Sequence, residues 1–233
     1  MRRLAIIPAR GGSKRIPRKN IRLFLGLPII VYSIRAALQS GLFDEVMVST
    51  DDPEIASIAN QYGAKTPFLR SAKNADDFAT TMDVIAEVIT AYKKSGQEFD
   101  EAACIYPSAP FVSPLTLVQF HEERILKQFD CIFPVLKYSY PIQRALALNE
   151  VGKMNMVQPK HLITRSQDLE PRFHDAGQFY FFRVDPLMRE HKLWTDNSGA
   201  IVIPEMFAQD IDHEEDWELA EFKYTYLKSK GIL

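Results

Sequence analysis

The chain opens with Leu4-Ala-Ile-Ile-Pro8 and continues directly into Ala9-Arg-Gly-Gly-Ser-Lys14. A short apolar run that ends at a proline is typical of a buried strand in a parallel sheet. The stretch from residue 9 to residue 27 is rich in glycine, proline and basic residues, and it is unusually long for a connection in a compact domain. Because ligands of open α/β sheets bind beyond the carboxyl ends of the strands, this loop is the first candidate for a binding site.

The rest of the chain alternates strand-like and helix-like patterns. Strands are predicted at 45–49, 66–69, 102–106, 131–135, 178–182 and 199–203. Helices are predicted at 28–41, 55–62, 80–94, from Ser113-Pro114 onward, and at 213–230. This alternation indicates βαβ units, and therefore one α/β domain over residues 1–233 with a Rossmann-like, mostly parallel sheet flanked by helices. Residues 138–175 break the pattern, and we interpret them as an excursion that serves as a flap or a dimer arm.

Composition excludes several classes of protein. The chain has 233 residues, of which 46% are hydrophobic and 25% charged, and 28 basic residues nearly balance 30 acidic ones. That balance argues against a protein that mainly coats nucleic acid or an anionic membrane. No apolar run suits a signal peptide or a membrane span, and the two cysteines have the surroundings of reduced core residues. We therefore expect a cytoplasmic protein that binds neither nucleic acid nor membrane.

The charges are segregated along the chain. The first 25 residues contain eight basic side chains and no acidic one, whereas the segment from Asp210 to Glu221 contains seven acidic side chains and no basic one. A basic tail and a solvated helix face would explain this distribution. A more specific interpretation is an anion site paired with a cation site, as a metal–polyphosphate complex requires.

The basic loop has the chemistry of a phosphate site. Gly11 and Gly12 allow backbone N–H groups to approach phosphate oxygens without a Cβ in the way, and Arg10, Lys14 and Lys19 can supply positive charge. The loop is neither a Walker A motif nor a Gly-x-Gly-x-x-Gly fingerprint. A basic surface turn remains the alternative interpretation.

The acidic segment begins with Asp210-Ile-Asp212, which places two carboxylates on one side of an extended backbone. Hard oxygen ligands that leave positions open for phosphate oxygens suit Mg²⁺. Asp212 has a second interpretation, because it precedes a helix and has Glu215 three residues later, as an N-cap with a capping-box partner would.

Several spaced motifs together resemble the CMP-sialic acid synthetase family of cytidylyltransferases. They are Ile7-Pro-Ala-Arg-Gly-Gly-Ser-Lys14, Lys19-Asn20, Val48-Ser-Thr-Asp51, Pro67-Phe-Leu-Arg70, Pro107-Ser-Ala-Pro110, Arg165-Ser-Gln-Asp-Leu169 and Gln209-Asp-Ile-Asp212. The resemblance implies a nucleotidyltransferase fold and transfer of CMP from CTP to the C2 hydroxyl of a nine-carbon 2-keto sugar acid, with release of pyrophosphate. It also implies Mg²⁺ as cofactor and a homodimer in which residues 138–175 form the arm.

The resemblance assigns roles to individual positions. It implies catalytic roles for Arg10, Lys19, Asp210 and Asp212, the last two also as Mg²⁺ ligands. It implies nucleotide contacts from Ala9, Arg10, Gly11, Gly12, Ser13, Lys14, Asn20, Arg70, Asp77, Thr80 and Thr81. It implies sugar-acid contacts from Tyr106, Ser108, Arg144, Arg165, Gln167, Gln178 and Tyr180.

Two positions depart from the sialic acid pattern. Tyr106 and Ala176 stand where that pattern has glutamine and asparagine. Loss of two pocket amides favours a more deoxygenated acceptor, and the segments Ser139–Arg144, Thr164–Pro171 and His174–Tyr180 resemble the branch of the family that uses pseudaminic acid. Sialic, legionaminic or 3-deoxy-octulosonic acid as acceptor, and a catalytically silent nucleotide-binding module, remain alternatives.

Overall fold

A mixed, mostly parallel sheet forms the centre of the structure, a computed structural model that describes residues 1–233. The strands are β1 (Arg3–Pro8), β2 (Leu23–Phe24), β3 (Leu27–Pro28), β4 (Glu45–Ser49), β5 (Glu101–Ile105), β6 (Cys131–Lys137), β7 (Leu146–Leu148), β8 (Met154–Met156), β9 (Phe173–Asp175), β10 (Phe179–Arg183) and β11 (Ser198–Val202). Seven of them form the main sheet in the order β11-β6-β10-β5-β1-β4, with β9 pairing β6 beyond the end of β10. The pairs β2–β3 and β7–β8 are separate small ribbons.

Helices cover both faces of the sheet. They are α1 (Ile30–Gln39), α2 (Pro53–Gln61), α3 (Ala72–Ala75), α4 (Thr81–Lys94), α5 (Pro114–Lys127), α6 (Val184–Glu190) and α7 (Glu214–Ser229). The residues of β1 alternate between two cores: Ala5 and Ile7 pack with α1, α2 and α5, whereas Leu4 and Ile6 pack with α4 and α6. This period of two is the expected pattern of a strand buried on both faces.

The predicted fold class is confirmed, and most predicted elements lie within two residues of the observed ones. The short elements α3 and β9 and the ribbons β2–β3 and β7–β8 were not predicted, and three further features differ. Residues 66–69 form no strand and only Lys65 bridges to Met47, because Pro67 cannot continue a ladder. Strand β10 runs antiparallel between β5 and β6, and helix α6, which follows β10 directly, was not predicted.

Residues 138–172 leave the main sheet between β6 and β9. Their hydrogen bonds are internal, for example from the Val157 N–H to the Ala145 carbonyl and from the Tyr138 N–H to the Arg172 carbonyl. Large apolar side chains are exposed along the segment, including Leu148, Met154 and Ile163. The predicted arm, residues 138–175, is thus shorter in the structure, because residues 173–175 form β9 of the main sheet, and the arm below means residues 138–172. None of the helices in the structure combines the length and the apolar composition needed to cross a bilayer.

Candidate active site at the carboxyl edge of the sheet

A cavity of about 250 Å³ lies beyond the carboxyl ends of β1 and β5, and we call it the first cavity. Three chain segments meet there: the loop after β1, the residues after β5, and the turn that precedes α7. Its lining includes Arg10, Ser13, Lys14, Arg15, Lys19, Asn20, Tyr106, Ser108, Asp210 and Asp212. Nine of these ten were predicted site residues, and Arg15 is the addition. The fold therefore brings the basic loop and the acidic segment into one site.

Asp210 and Asp212 both line the first cavity, while the side chain of Ile211 between them is fully buried in the core against α7. The prediction that the two carboxylates lie on one side of an extended segment is thus confirmed. Lys19 reaches the same turn from the opposite end of the sequence. Its ammonium donates to the Ile211 carbonyl at 2.6 Å and lies 3.8 Å from Asp212 Oδ1. Desolvation lowers the pKa of Lys19, and the two carboxylates partly offset this effect.

The N-cap interpretation of Asp212 is wrong. The Asp216 carboxylate accepts the backbone N–H groups of Asp212, at 3.0 Å, and of His213, at 2.8 Å, and it therefore closes the amino end of α7. Glu215 takes no part. The Asp212 carboxylate instead faces the basic loop, where an Arg15 guanidinium nitrogen lies 2.8 Å from its Oδ1.

Asp210 differs from Asp212 because its carboxylate makes no hydrogen bond or ion pair within the chain. Desolvation, followed by the neighbouring Asp212 charge, raises the pKa of Asp210. The chain contains no cluster of three or more side chains that could enclose a metal ion. Two carboxylates beside a cavity lined with cations nevertheless fit Mg²⁺, which is usually held by one or two carboxylates together with substrate phosphates.

The two loop glycines have different roles. The Gly11 N–H donates to Asp51 Oδ1 at 3.0 Å, and a Cβ on Gly11 would lie 2.8 Å from Asp52 Oδ2, so this glycine lets the loop pack on the Asp52 cap of α2. A Cβ on Gly12 would meet nothing within 4 Å. Ala9 is fully buried and its N–H donates to the Ser49 carbonyl at 2.9 Å. The N–H groups of Ala9 and Gly11 are thus both bonded within the fold, and the nucleotide contacts implied for these two residues remain predictions.

Asp77 pairs with two cations of the loop, Arg10 and Lys14. Its Oδ1 accepts from Arg10 at 2.8 Å, and its Oδ2 pairs with the Lys14 ammonium. Hydrogen bonds from Lys14 and then Arg10 lower the pKa of Asp77, so it is ionised at neutral pH. The nucleotide contact predicted for Asp77 thus has a competing interpretation, in which its carboxylate occupies the cations that a triphosphate would use.

Replacing Asp77 with asparagine should tighten CTP binding by roughly threefold, because Arg10 and Lys14 lose a competing carboxylate and exposed ion pairs are individually weak. Isothermal titration of CTP at two salt concentrations would measure the effect, which should shrink at high salt. Weaker CTP binding by the variant would show instead that Asp77 contacts the nucleotide directly.

Three other residues predicted to contact the nucleotide, Arg70, Thr80 and Thr81, make hydrogen bonds within the fold. The Arg70 guanidinium is buried and donates to Ser49 Oγ and to the Ser49 carbonyl, at 3.1 and 2.6 Å, at the end of β4. Burial lowers the pKa of Arg70. Thr80 caps α4 by accepting the Asp83 N–H, and the Thr81 hydroxyl lies 3.2 Å from the Tyr106 hydroxyl. None of the three lines the first cavity, and the nucleotide contacts implied for them remain predictions.

A second cavity of about 350 Å³ adjoins the first, and the two share Asp210. It lies between the end of β6, the end of β9 and the loop before α7. The lining residues are Leu136, Lys137, Tyr138, Ser139, His174, Asp175, Ala176, Glu205, Ala208, Gln209, Asp210 and Lys223. Asp210 therefore lies where two cavities meet. The first is lined by several cations, and the second is lined by a mixture of apolar, acidic and basic side chains.

The loop that carries Asp210 is fixed by a buried lysine. Lys223 of α7 donates to the Glu205 carbonyl at 3.1 Å, to the Ala208 carbonyl at 3.0 Å and to Gln209 Oε1 at 3.0 Å. These three bonds use all the donors of an ammonium group. Gln178 supports the same loop, because its side-chain amide donates to the Phe207 carbonyl.

The predicted sugar-acid contacts divide into three groups. Tyr106 and Ser108 line the first cavity. Gln178 and Tyr180 are almost fully buried and line neither cavity, because Gln178 is bonded to the 205–208 loop and Tyr180 to Asp175. Arg144, Arg165 and Gln167 lie on the arm, where Arg144 bonds to Ser166 and Arg165 to Asp168, away from both cavities of the same chain. The sugar-acid contacts implied for these five residues therefore remain predictions, which the cavity linings of a single chain do not test.

The sequence analysis assigned no site role to Arg15, Asp175 or Lys223. Arg15 could have been found, because it belongs to the same basic run as Lys14. The sequence gives a weaker indication of a site at Asp175, which directly precedes Ala176, the position where this chain lacks the amide of the sialic acid pattern. It gives no indication at Lys223, because one lysine on an amphipathic helix normally faces solvent.

Comparison with known proteins agrees with this geometry. The family model described as cytidylyltransferase matches residues 4–199. A pseudaminic acid cytidylyltransferase of Campylobacter jejuni is 44% identical over 96% of this chain and 97% of its own length. A CMP-N,N'-diacetyllegionaminic acid synthase of Legionella pneumophila is 33% identical over 95% of each chain.

A solved structure shares the fold. A CMP:2-keto-3-deoxy-manno-octonic acid synthetase complexed with CTP superposes with a TM-score of 0.69, at 17% identity, over 97% of this chain and 99% of its own. At that identity the likeness supports the nucleotidyltransferase fold alone. Family match, relatives and fold agree, and the chain belongs to the cytidylyltransferase family and is a nucleotidyltransferase.

Proposed function

We propose that the chain transfers CMP from CTP to the C2 hydroxyl of pseudaminic acid and releases pyrophosphate. The observation that carries the proposal is the junction of the two cavities at Asp210. Transfer needs a nucleotide and an acceptor side by side, with the acceptor hydroxyl next to the α-phosphate. The similarity to pseudaminic acid cytidylyltransferases supports the choice of acceptor.

In this proposal the first cavity binds the triphosphate. Arg10, Lys14 and Lys19 line it and supply positive charge, and Asn20 fixes the loop by donating to the Arg10 carbonyl at 3.0 Å. Lys19 is the least exposed of the three cations, so its charge is the least screened by water. It is therefore the residue that stabilises charge developing on the leaving pyrophosphate.

Asp210 and Asp212 would hold Mg²⁺ at the same place. The bound ion would neutralise charge on the phosphate oxygens, a common role of Mg²⁺ in phosphoryl and nucleotidyl transfer. Arg15 and Lys19 hold the Asp212 carboxylate toward the cavity, whereas Asp210 has no partner within the chain that a cation would have to displace.

The acceptor assignment is tested by pyrophosphate release with CTP and a panel of pseudaminic, legionaminic, sialic and 3-deoxy-octulosonic acids. We expect kcat/KM to be at least about tenfold higher for pseudaminic acid than for any other acid, since specificity that rests on hydrogen-bonding groups is strong. A higher value with another acid would reject the acceptor and retain the reaction. CTP binding without turnover on every acid would reject the reaction itself.

We also propose a cytoplasmic homodimer joined through the arm. The apolar side chains exposed along the arm, such as Leu148 and Met154, are suited to burial against a second copy. In such a dimer, Arg144, Arg165 and Gln167 could serve the partner's second cavity, because they serve neither cavity of their own chain. Light scattering at working concentration should give twice the chain mass, and a monomeric mass would reject the dimer.

A further inference from the structure

Asp175 lies at an interruption of the sheet beside the second cavity. Strand β9 ends at Asp175 and β10 begins at Phe179, and between them Gly177 adopts a left-handed backbone with φ +63°. This turn folds back onto Asp175, whose Oδ1 accepts the Gly177 N–H at 2.8 Å. The Tyr180 hydroxyl donates to the other carboxylate oxygen, Oδ2. Asp175 is therefore held from both sides in a fixed orientation at the cavity wall.

The carboxylate has no cationic partner. No basic nitrogen lies within 4.0 Å of it, and the His174 ring contacts the Asp175 backbone carbonyl instead, at 3.0 Å. Lys223, a lysine of the same cavity, uses its donors on Glu205, Ala208 and Gln209. An ionised carboxylate has about four acceptor positions, and here two are filled by the chain. The remaining capacity suits a hydrogen-bond donor supplied by a bound molecule.

The neighbouring position strengthens this interpretation. Ala176, where the sialic acid pattern has asparagine, is buried and contributes no polar side chain to the cavity. An amide both donates and accepts, whereas a carboxylate accepts alone and repels another carboxylate. The wall of the second cavity therefore presents a carboxylate at position 175 and no side-chain amide at position 176, which determines which side of a sugar acid can face it.

We propose that Asp175 is a specificity-determining residue of the acceptor site, which accepts a hydrogen bond from an acetamido N–H or hydroxyl of the sugar acid and turns the acid's own carboxylate away. The proposal rests on the proposed function, because it takes the second cavity as the acceptor site. Pseudaminic acid presents two acetamido N–H groups as donors. Because Gly177 and Tyr180 fix the Asp175 carboxylate, it favours a sugar acid whose acetamido N–H groups lie within hydrogen-bond distance of it.

The test is steady-state kinetics of Asp175→Asn with CTP and the best acid of the panel. We expect KM for the acid to rise about 10- to 100-fold, the range for a hydrogen bond to a charged group, while KM for CTP stays within about twofold. Neither KM depends on the concentration of active enzyme, so partial unfolding cannot imitate this result. Asp196→Asn, the same change at an exposed site outside both cavities, should leave both constants unchanged.

Two further variants separate recognition from support. Tyr180→Phe removes one bond that holds Asp175 but keeps its charge, so it should raise KM for the acid less than Asp175→Asn does. Asp175→Glu should keep part of the acid affinity because the carboxylate remains. A purely structural role predicts instead that Tyr180→Phe and Asp175→Asn raise both KM values together and lower the melting temperature alike, and that result would overturn the proposal.

The outcome for the wild type keeps the two proposals apart. If wild-type enzyme prefers an acid other than pseudaminic acid, the acceptor assignment fails, and the Asp175 variants are measured with the preferred acid. An unchanged KM for that acid in Asp175→Asn overturns the role of Asp175 whichever acid it is.

Discussion

Replacing Asp210 with asparagine should lower kcat for CMP transfer by about 10²- to 10³-fold, the loss expected when one group that stabilises transition-state charge is removed. Asp210 has no partner within the chain and stands where the two cavities meet, so its carboxylate is free to act on the bound reactants. Asparagine keeps its size but removes its charge. The affinity for Mg²⁺ in the presence of CTP should fall as well, and a Mg²⁺ titration of pyrophosphate release measures both effects.

The same substitution should not destabilise the protein. Because the pKa of Asp210 is raised in the folded state, ionisation at neutral pH costs stability, and this cost disappears as the pH falls and the group takes up a proton. Asp210→Asn removes the cost, so the melting temperature at pH 7 should be equal to or above that of the wild type. Glu215→Gln, a nearby acid on the exposed side of α7, is the matched control and should keep its activity. Activity of Asp210→Asn within a few-fold of the wild type would remove Asp210 from the mechanism.

Replacing Lys19 with methionine should lower kcat by about 10²-fold or more, with a smaller effect on KM for the sugar acid. The Lys19 side chain is 21% exposed, its pKa is lowered by desolvation, and its ammonium is oriented by the Ile211 carbonyl. A charge in such surroundings acts through a lower effective dielectric than one in water, and its position needs no reorganisation during the reaction.

Lys14 provides an internal comparison. Its side chain is 77% exposed, so Lys14→Met should cost only a few-fold, mainly in KM for CTP. Lys94→Met, an exposed lysine on α4 outside both cavities, should change nothing. Single-turnover measurements with saturating CTP separate chemistry from binding. Equal losses for Lys14→Met and Lys19→Met would show that the loop contributes only general positive charge.

Loss of Lys19 also removes a contact that joins the two ends of the sequence, so the melting temperature of Lys19→Met must be measured alongside its kinetics. Lys19→Arg keeps the charge but has a planar, bulkier head. Partial recovery of kcat by arginine would identify charge as the operative property. No recovery, with an unchanged fold, would indicate that the compact ammonium on the Ile211 carbonyl is required.

Local pattern was enough for most of the elements. The apolar run at Leu4–Pro8, the Asp52 cap with Pro53 behind it, and the helix ahead of Gly41 follow from periodicity and capping chemistry, which act over a few residues. The antiparallel insertion of β10 was beyond such reasoning, because a strand's partners are set by the path of the whole chain. Ambiguity at Asp212 had the same origin: two acids, Glu215 and Asp216, lay within reach of the helix start, and packing selected Asp216.

By itself the sequence determined the fold class, the basic loop after β1 and the spacing of Asp210 and Asp212, since each depends on neighbouring residues. Tertiary structure alone decided that Lys19 meets Ile211 across 192 positions, that Gly11 serves packing on Asp52, and that Asp175 faces a cavity next to Asp210. The physical reason is that hydrogen-bond donors and charges have their partners chosen by proximity in space. The tertiary structure is therefore needed to show which donors and charges are already bonded within the chain and which remain free to bind a ligand.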